Sequence, residues 1–309
     1  MDGRAQGTTY RVRGFTARVL SSDARQDLED RVEGLLRRID ELMSSWRQDS
    51  EIERFNRLGA GIPFPLSPEN ADLLLRSREI WRLTDGAFDP TIGRSIRLWG
   101  FGGAPKRSDL PSGSDVEAAR AEGGFQTVEL DGRVLLKLRD GVCVDLNGIA
   151  QGYTVDRVFE LLQGAGFDSL LVEVGGEVRA GAAPPGERAW RVGLESPVGE
   201  SLGPTLALVG ISVSTSGDYR SGFEVDGVRY SHILDPRVGR PVTTGVAEAT
   251  VVARDCATAD AMATALVVLG PEKALALVDR GAATACRLLV REGASFRERA
   301  TTGFARWLW

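Results

Sequence analysis

Leu170-Leu-Val-Glu-Val-Gly-Gly176 closes a strand–helix–strand passage that opens at Val144, and the segments beyond Gly176 decide the fold. A doubly wound sheet would continue with another helix. Instead, residues 190–194, 205–214, 223–230 and 246–253 read as strands in succession, with Asp226-Gly227 as a hairpin turn. Upstream, 125–144 carries short alternating strands around an Asp131-Gly132 turn. An opening strand is expected over 8–20, packing through Tyr10, Val12, Phe15, Val19 and Leu20.

Helices are expected where apolar residues recur at steps of three and four. In 27–43 these are Leu28, Val32, Leu35, Leu36, Ile39 and Leu42. Further helices read at 68–84, 148–165 and 258–269, and at 271–278 after the stop at Gly270 and the start at Pro271. Residues 89–103, rich in Trp, Phe and Gly, read as loop, and the chain beyond 278 as a hairpin and tail. Helices mixed with hairpin strands, without a βαβ rhythm, give an α+β fold with mixed or antiparallel sheets. No linker or repeat divides the 309 residues, so one domain over 1–309 is expected, with room for two intimate lobes.

Composition removes several functions. The chain is 42% hydrophobic and 26% charged, ordinary for a globular protein. A net charge of −5 supplies no basic field for nucleic acid. Three scattered cysteines form no disulfide framework, and a single histidine does not suit a zinc site. A bound metal would be a hard ion on oxygen ligands. The N-terminus lacks an apolar signal core, and no run approaches the ~18 apolar residues of a membrane span. A cytoplasmic protein is expected as written, although a trimmed exported form would read the same.

Chemistry concentrates in a few polar, Gly-rich phrases. Thr215-Ser-Gly-Asp-Tyr-Arg220 precedes Tyr230-Ser-His-Ile-Leu-Asp-Pro236, which holds the only imidazole, His232. Asp260 and Thr264 stand at i and i+4 of a helix and share one face, as a cation bound to phosphate requires. Val144-Asp-Leu-Asn-Gly-Ile-Ala-Gln-Gly-Tyr153 runs from strand to helix through two glycines that admit a close ligand. It matches neither a Walker loop nor a GxGxxG turn, and no G-x-S-x-G elbow occurs. Trp46, in the polar turn Ser44-Ser-Trp-Arg47, either caps the core or stacks on a planar ligand. Gly175-Gly176 reads as a simple turn or a close backbone approach.

Taken together and in order, these phrases resemble the ApbE family of FAD:protein FMN transferases. The matching segments are Gly7-Thr8, Met43-Ser-Ser-Trp46, Asp49-Ser-Glu51, Phe55-Asn56, Gly86-Ala-Phe-Asp89 and Leu98-Trp-Gly-Phe101. They continue with Asp145-Leu-Asn-Gly-Ile-Ala-Gln-Gly152, Gly175-Gly176, Thr215–Tyr219, Ser231–Pro236, Gly239 and Ala259–Thr264. The resemblance implies a two-lobed, T-fold-like body with FAD in its cleft. It implies transfer of FMN from FAD to a Thr or Ser hydroxyl of a target flavoprotein, releasing AMP. Trp46, Ala87, Phe88, Asp89, Asp145, Gln151 and Leu234 would then contact FAD, with Mg2+ on Gly148, Asp260 and Thr264, and His232 as the base. Gln151 stands where the family often has Lys, Gln6 where a Met is usual, and Arg94 and Arg97 where Pro and Asn are common. On this resemblance the two arginines are candidates to replace the missing lysine charge. A non-transferring FAD carrier and an FAD pyrophosphatase are the competing readings.

Overall fold

Antiparallel pairing alone builds the sheet at the centre of the molecule. A computed structural model describes residues 1–17, 19–105, 107–195, 202–219, 221–293 and 295–309. Its largest sheet has eight strands: β1 Asp2–Ala5, β2 Thr8–Phe15, β3 Ser169–Val174, β4 Glu177–Ala180, β5 Ile211–Gly217, β6 Val246–Ala253, β7 Ala285–Glu292 and β8 Ser295–Ala300. They lie side by side in chain order, so the sheet is a meander interrupted by long insertions.

The insertions supply the helices: α1 Ser22–Met43, α2 Glu51–Asn56, α3 Pro68–Leu83, α4 Gly93–Leu98, α5 Gly113–Glu122, α6 Ala150–Gly164, α7 Cys256–Leu269 and α8 Pro271–Leu277. α1 begins five residues earlier than its periodicity predicts because the Ser21 hydroxyl accepts from the Ala24 amide at 3.2 Å and caps it. The opening strand stops at Phe15, where pairing with Ser169 ends. Tyr10 and Val12 are buried as expected; Phe15, Val19 and Leu20 are exposed instead. The 205–214 run divides at Val209-Gly210 into Leu202–Leu208, which pairs with Trp190–Glu195, and β5. Gly210 takes φ 62° there, a left-handed turn that residues other than glycine disfavour.

α6 and α7 cross one face of the sheet, with α1 packed on α6 and α3 on α7. The other face is covered by the hairpin strands Trp190–Glu195 and Leu202–Leu208 and by Phe304. Successive residues of β6 serve both: Val251 joins the core beneath α7, Val252 the core beneath the hairpin. All eight β6 residues are buried. α7 is buried around nearly its whole circumference through Ala257, Ala259, Ala261, Ala263 and Ala265, whose small side chains allow close packing. A three-stranded sheet (Phe64–Pro65, Val134–Lys137, Val128–Asp131) extends the core beyond α3. No helix among the described residues is long and apolar enough to cross a membrane.

Candidate active site

A cleft of about 1040 Å³ opens at one end of the large sheet, at the upper end of the ~300–1,000 Å³ usual for ligand pockets. It brings together Trp46, Ala87, Phe88, Asp89, Asp145, Gly148, Gln151, His232, Leu234, Asp260 and Thr264, every site residue expected from the sequence. Arg220, part of the quoted phrase, lies outside the described residues.

One wall is built by hydrogen bonds that the sequence motifs do not display. Asn56 clamps the segment leading to Asp145: its amide donates to Val144 O and its carbonyl accepts from Val144 N, both at 2.8 Å. The Glu51 carboxylate is buried and accepts from Ser67 N, Ser67 Oγ and Asn70 Nδ2, fixing α2 against α3. Asp145 itself is buried, accepting from Asn147 N at 2.8 Å while its own amide donates to Pro90 O at 2.7 Å. Burial raises its pKa above the ordinary carboxylate value. Asn147 Nδ2 also reaches Ser45 Oγ at 2.9 Å and ties the Trp46 turn to this wall.

Asp89 is buried too, and burial again raises its pKa. Its carboxylate accepts from Thr91 N, Thr91 Oγ1 and Phe125 N, so the side chain pins the loop, and the cleft meets this segment through Ala87, Phe88 and Asp89. Trp46 does not cap the core: it is 72% exposed at the rim. An apolar ring held in water at a cleft mouth is a surface for a planar partner.

The opposite side is formed by α7 against the start of α6. Asp260 is buried, and its Oδ2 accepts from Gly152 N at 3.0 Å. That amide belongs to the first turn of α6, where a negative group is favoured. Gly152 is closely hemmed in: an added Cβ would lie 2.6 Å from the Cys256 carbonyl carbon and 2.8 Å from Asp260 Cβ. Thr264 Oγ1 lies 3.1 Å from Ser216 Oγ of β5, and a Cβ on Gly148 would sit 3.7 Å from it. Asp260, Thr264 and Gly148 all line this cleft, and the oxygen donors their residue types carry are of the kind a hard cation takes. Among the described residues no group of three or more His, Cys, Asp or Glu is placed to hold a metal.

His232 comes just after the hairpin Gly222–Val225/Val228–Ser231. The Ser221 carbonyl lies 3.2 Å from its backbone N and 3.0 Å from its Nδ1, and Phe101 meets the ring edge-on at 6.3 Å. Leu234 is buried and pairs with Pro241. Gly175 turns from β3 to β4 with φ 65°, and a Cβ there would lie 2.7 Å from Gln151 Nε2 and 3.2 Å from Glu177 Oε2. It is therefore both a turn and a close approach.

Glu177 also lines the cleft and was not singled out by sequence, and Gln6, Asn147 and Ser216 line it although they were noted only as a departure from the resemblance or as members of quoted phrases. Their signal is tertiary: Gln6, at φ 52° in the β1–β2 turn, donates to Thr154 Oγ1 across 148 positions. Arg94 and Arg97 do not supply the missing lysine charge. Arg94 pairs with Glu122 at 2.7 Å, Arg97 pairs with Glu53, and neither lines the cleft. Arg47 is the one Lys or Arg in the described lining, and it is paired with Asp40 and Asp49. Asp40, Asp89, Asp145, Glu177 and Asp260 leave the cleft acidic, so a phosphate-bearing ligand there needs an added cation.

The family model described as "ApbE family" matches residues 6–288. The FAD:protein FMN transferase of Vibrio cholerae is 34% identical over 310 residues, covering 100% of this chain and 92% of that protein. The Escherichia coli K12 protein of the same name is 33% identical, covering 96% and 85%. Among solved structures, flavin transferase ApbE from Vibrio cholerae aligns with a TM-score of 0.91 at 33% identity, over 100% of this chain and 98% of that one. The apo Pseudomonas stutzeri flavinyl transferase ApbE aligns at 0.88 and 41% identity, over 99% and 95%.

Proposed function

The chain belongs to the ApbE family, and on that premise we propose that it transfers FMN from FAD to a threonine or serine hydroxyl of a target flavoprotein, releasing AMP. The observation that carries this reading is the convergence of Asp260, Thr264, Gly148 and His232 on one acidic cleft with an exposed Trp46 at its rim.

Asp260, Thr264 and the Gly148 carbonyl would hold Mg2+, which when bound neutralises charge building on the pyrophosphate. Trp46 stacks on the flavin, and the Ala87–Asp89 and Asp145–Gln151 segments hold the rest of the dinucleotide. His232 takes the proton from the acceptor hydroxyl as its oxygen bonds to the FMN-side phosphorus. The bridging P–O bond breaks and AMP leaves with the bridging oxygen. Proton transfer to a positioned base contributes about 10²–10⁴-fold. Gln151 donates a hydrogen bond to phosphate without the charge a lysine would add.

The test is mass spectrometry of a threonine-bearing acceptor after incubation with FAD and Mg2+. An FMN adduct is expected, lost in His232→Ala and in Asp260→Ala. Free FMN formed without acceptor would replace this reading with FAD hydrolysis, and tight, unreacted FAD would replace it with flavin carriage.

A further inference from the structure

Two residues beyond Tyr219, whose hydroxyl is bonded to buried Glu248, a main-chain carbonyl meets the His232 imidazole. The Ser221 carbonyl stands 3.0 Å from His232 Nδ1 and 3.2 Å from the same residue's backbone N. A carbonyl oxygen can only accept, so both nitrogens must donate to it. In a neutral imidazole, a proton on Nδ1 leaves Nε2 as the lone-pair nitrogen, the one able to receive a proton.

That carbonyl lies two positions beyond Tyr219, the last residue of a segment held from the sheet. Gly217, the last residue of β5, pairs with Glu248 of β6. Asp218 N donates to Ala247 O at 3.0 Å, and its carboxylate takes Arg291 Nη2 at 2.5 Å. Tyr219 donates its hydroxyl to Glu248 Oε2 at 3.2 Å, and its carbonyl accepts from Arg229 at 2.9 Å. Glu248 is wholly buried, and its other oxygen accepts from buried Arg287 at 2.9 Å. Arg287 is itself braced by Glu298 at 2.8 Å. Gly217 has no side chain because one would meet the Tyr219 ring at 2.5 Å. A buried ion pair is costly to desolvate and stabilises little by itself, which points to a role in fixing geometry.

We infer that the Ser221 carbonyl sets His232 in its Nδ1-protonated tautomer, and that Arg287, Glu248 and Tyr219 are positioning residues that hold this carbonyl in place. The inference rests on His232 as the base proposed above and deepens it. It has a readout that does not depend on activity, because His232 is the only histidine in the chain. Selective 15N-histidine labelling therefore gives a single pair of ring nitrogens.

At a pH where the ring is neutral, the wild-type protein is expected to show a protonated Nδ1 and an unprotonated Nε2. Tyr219→Phe removes one hydroxyl and keeps the ring, and a thermal melt of the same sample checks that the variant is folded. It is expected to show Nε2–H signal alongside Nδ1–H and to lose roughly three- to tenfold in kcat, with KM for FAD changed less than twofold. A wild-type ring carrying its proton on Nε2 overturns the tautomer. A Tyr219→Phe protein with wild-type 15N shifts and wild-type kcat overturns the positioning role. Full transfer by His232→Ala would sink the base assignment alone, and the wild-type spectrum would still decide the tautomer.

Discussion

Gly152→Ala tests the cleft at the point where two helices touch through backbone. In α6, the Gly152 amide donates to Asp260 while its Cα faces the Cys256 carbonyl of α7. A methyl there would lie 2.6 Å from the Cys256 carbonyl carbon and 2.8 Å from Asp260 Cβ, where real Cβ atoms essentially never approach within 3.0 Å. Ordinary contact requires the first turn of α7 to retreat by about 0.5–1 Å, and both obstacles are backbone or backbone-proximal, so no rotamer change relieves them. Overpacking of this kind costs about 1–3 kcal/mol, a few degrees in Tm for a chain this size. The effect on chemistry is expected to be larger than on stability. Displacing the carboxylate of the proposed cation site by about 1 Å costs on the order of 10²-fold in rate. The assay is initial-rate FMN transfer against Mg2+ concentration at saturating FAD, with a thermal melt of the same sample. The expected result is a folded protein with a slightly lower Tm, a higher Mg2+ midpoint and a rate reduced ~10- to 100-fold. A folded Gly152→Ala protein with the wild-type Mg2+ midpoint and rate would refute the argument that this contact places Asp260.

Other expectations rest on single contacts. Gly34, inside α1, has open space where its Cβ would point, so Gly34→Ala should raise stability by about 0.5–1 kcal/mol in a denaturant titration without changing transfer. Asn56→Ala strips both hydrogen bonds from Val144 and should destabilise by about 2–4 kcal/mol while weakening FAD binding, measured by melting and flavin fluorescence. All three cysteines are buried, and burial pushes the Cys143 and Cys286 thiols up to about 12 and Cys256 up as well. At pH 8 roughly one thiol in 10⁴ would be ionised, so a thiol reagent should label none quickly in the native state and all three after denaturation, with native labelling rising only as pH nears 12. Gln151→Lys places a cation beside the acidic lining and should lower KM for FAD about three- to tenfold, with the gain shrinking as salt rises.

The fold was legible where periodicity and punctuation agree. The 246–253 run and the Gly270-Pro271 helix break fall where the strand β6 and helices α7 and α8 lie. Residues whose placement depends on distant partners were not legible. Val19 and Leu20 look like strand interior but are exposed because the partner strand β3 begins only at Ser169, a fact carried about 150 positions away. The short helices α2, α4 and α5 carry too few turns for a hydrophobic period to show. α2 is fixed instead by the Ser50 cap and the Glu51 bonds to Ser67 and Asn70. Within the cleft, residue type was readable and hydrogen-bonding was not: Asp89 and Asp145 are both carboxylates in Gly-rich phrases, yet Asp145 bonds Asn147 two residues on while Asp89 also takes the Phe125 amide 36 positions away.

The separation of the motifs along the chain has a topological cause. Because strands adjacent in the sheet are also consecutive in sequence, each insertion between two of them must leave and re-enter the sheet near the same place. The insertion between β2 and β3 delivers Trp46, Ala87–Asp89 and Asp145–Gln151. The one between β5 and β6 delivers His232 and Leu234, and the one between β6 and β7 delivers Asp260 and Thr264. No two of these groups share an insertion, so no local motif contains both the proposed base and the proposed helix ligands of the cation. The sheet ends are the one fixed reference they hold in common: Gly175 at the β3–β4 turn, and Ser216 and Gly217 at the end of β5, line the cleft or press on its lining side chains. A substitution that shifts β5 against β6 should therefore move His232 relative to Asp260 even though neither lies on a strand. Thr250→Val, which removes the 3.0 Å hydroxyl contact with Thr215 at that seam without changing shape, is the smallest such shift. It should lower kcat more than it raises the KM for FAD. An equal change in both would mean that the two walls are positioned independently of the sheet.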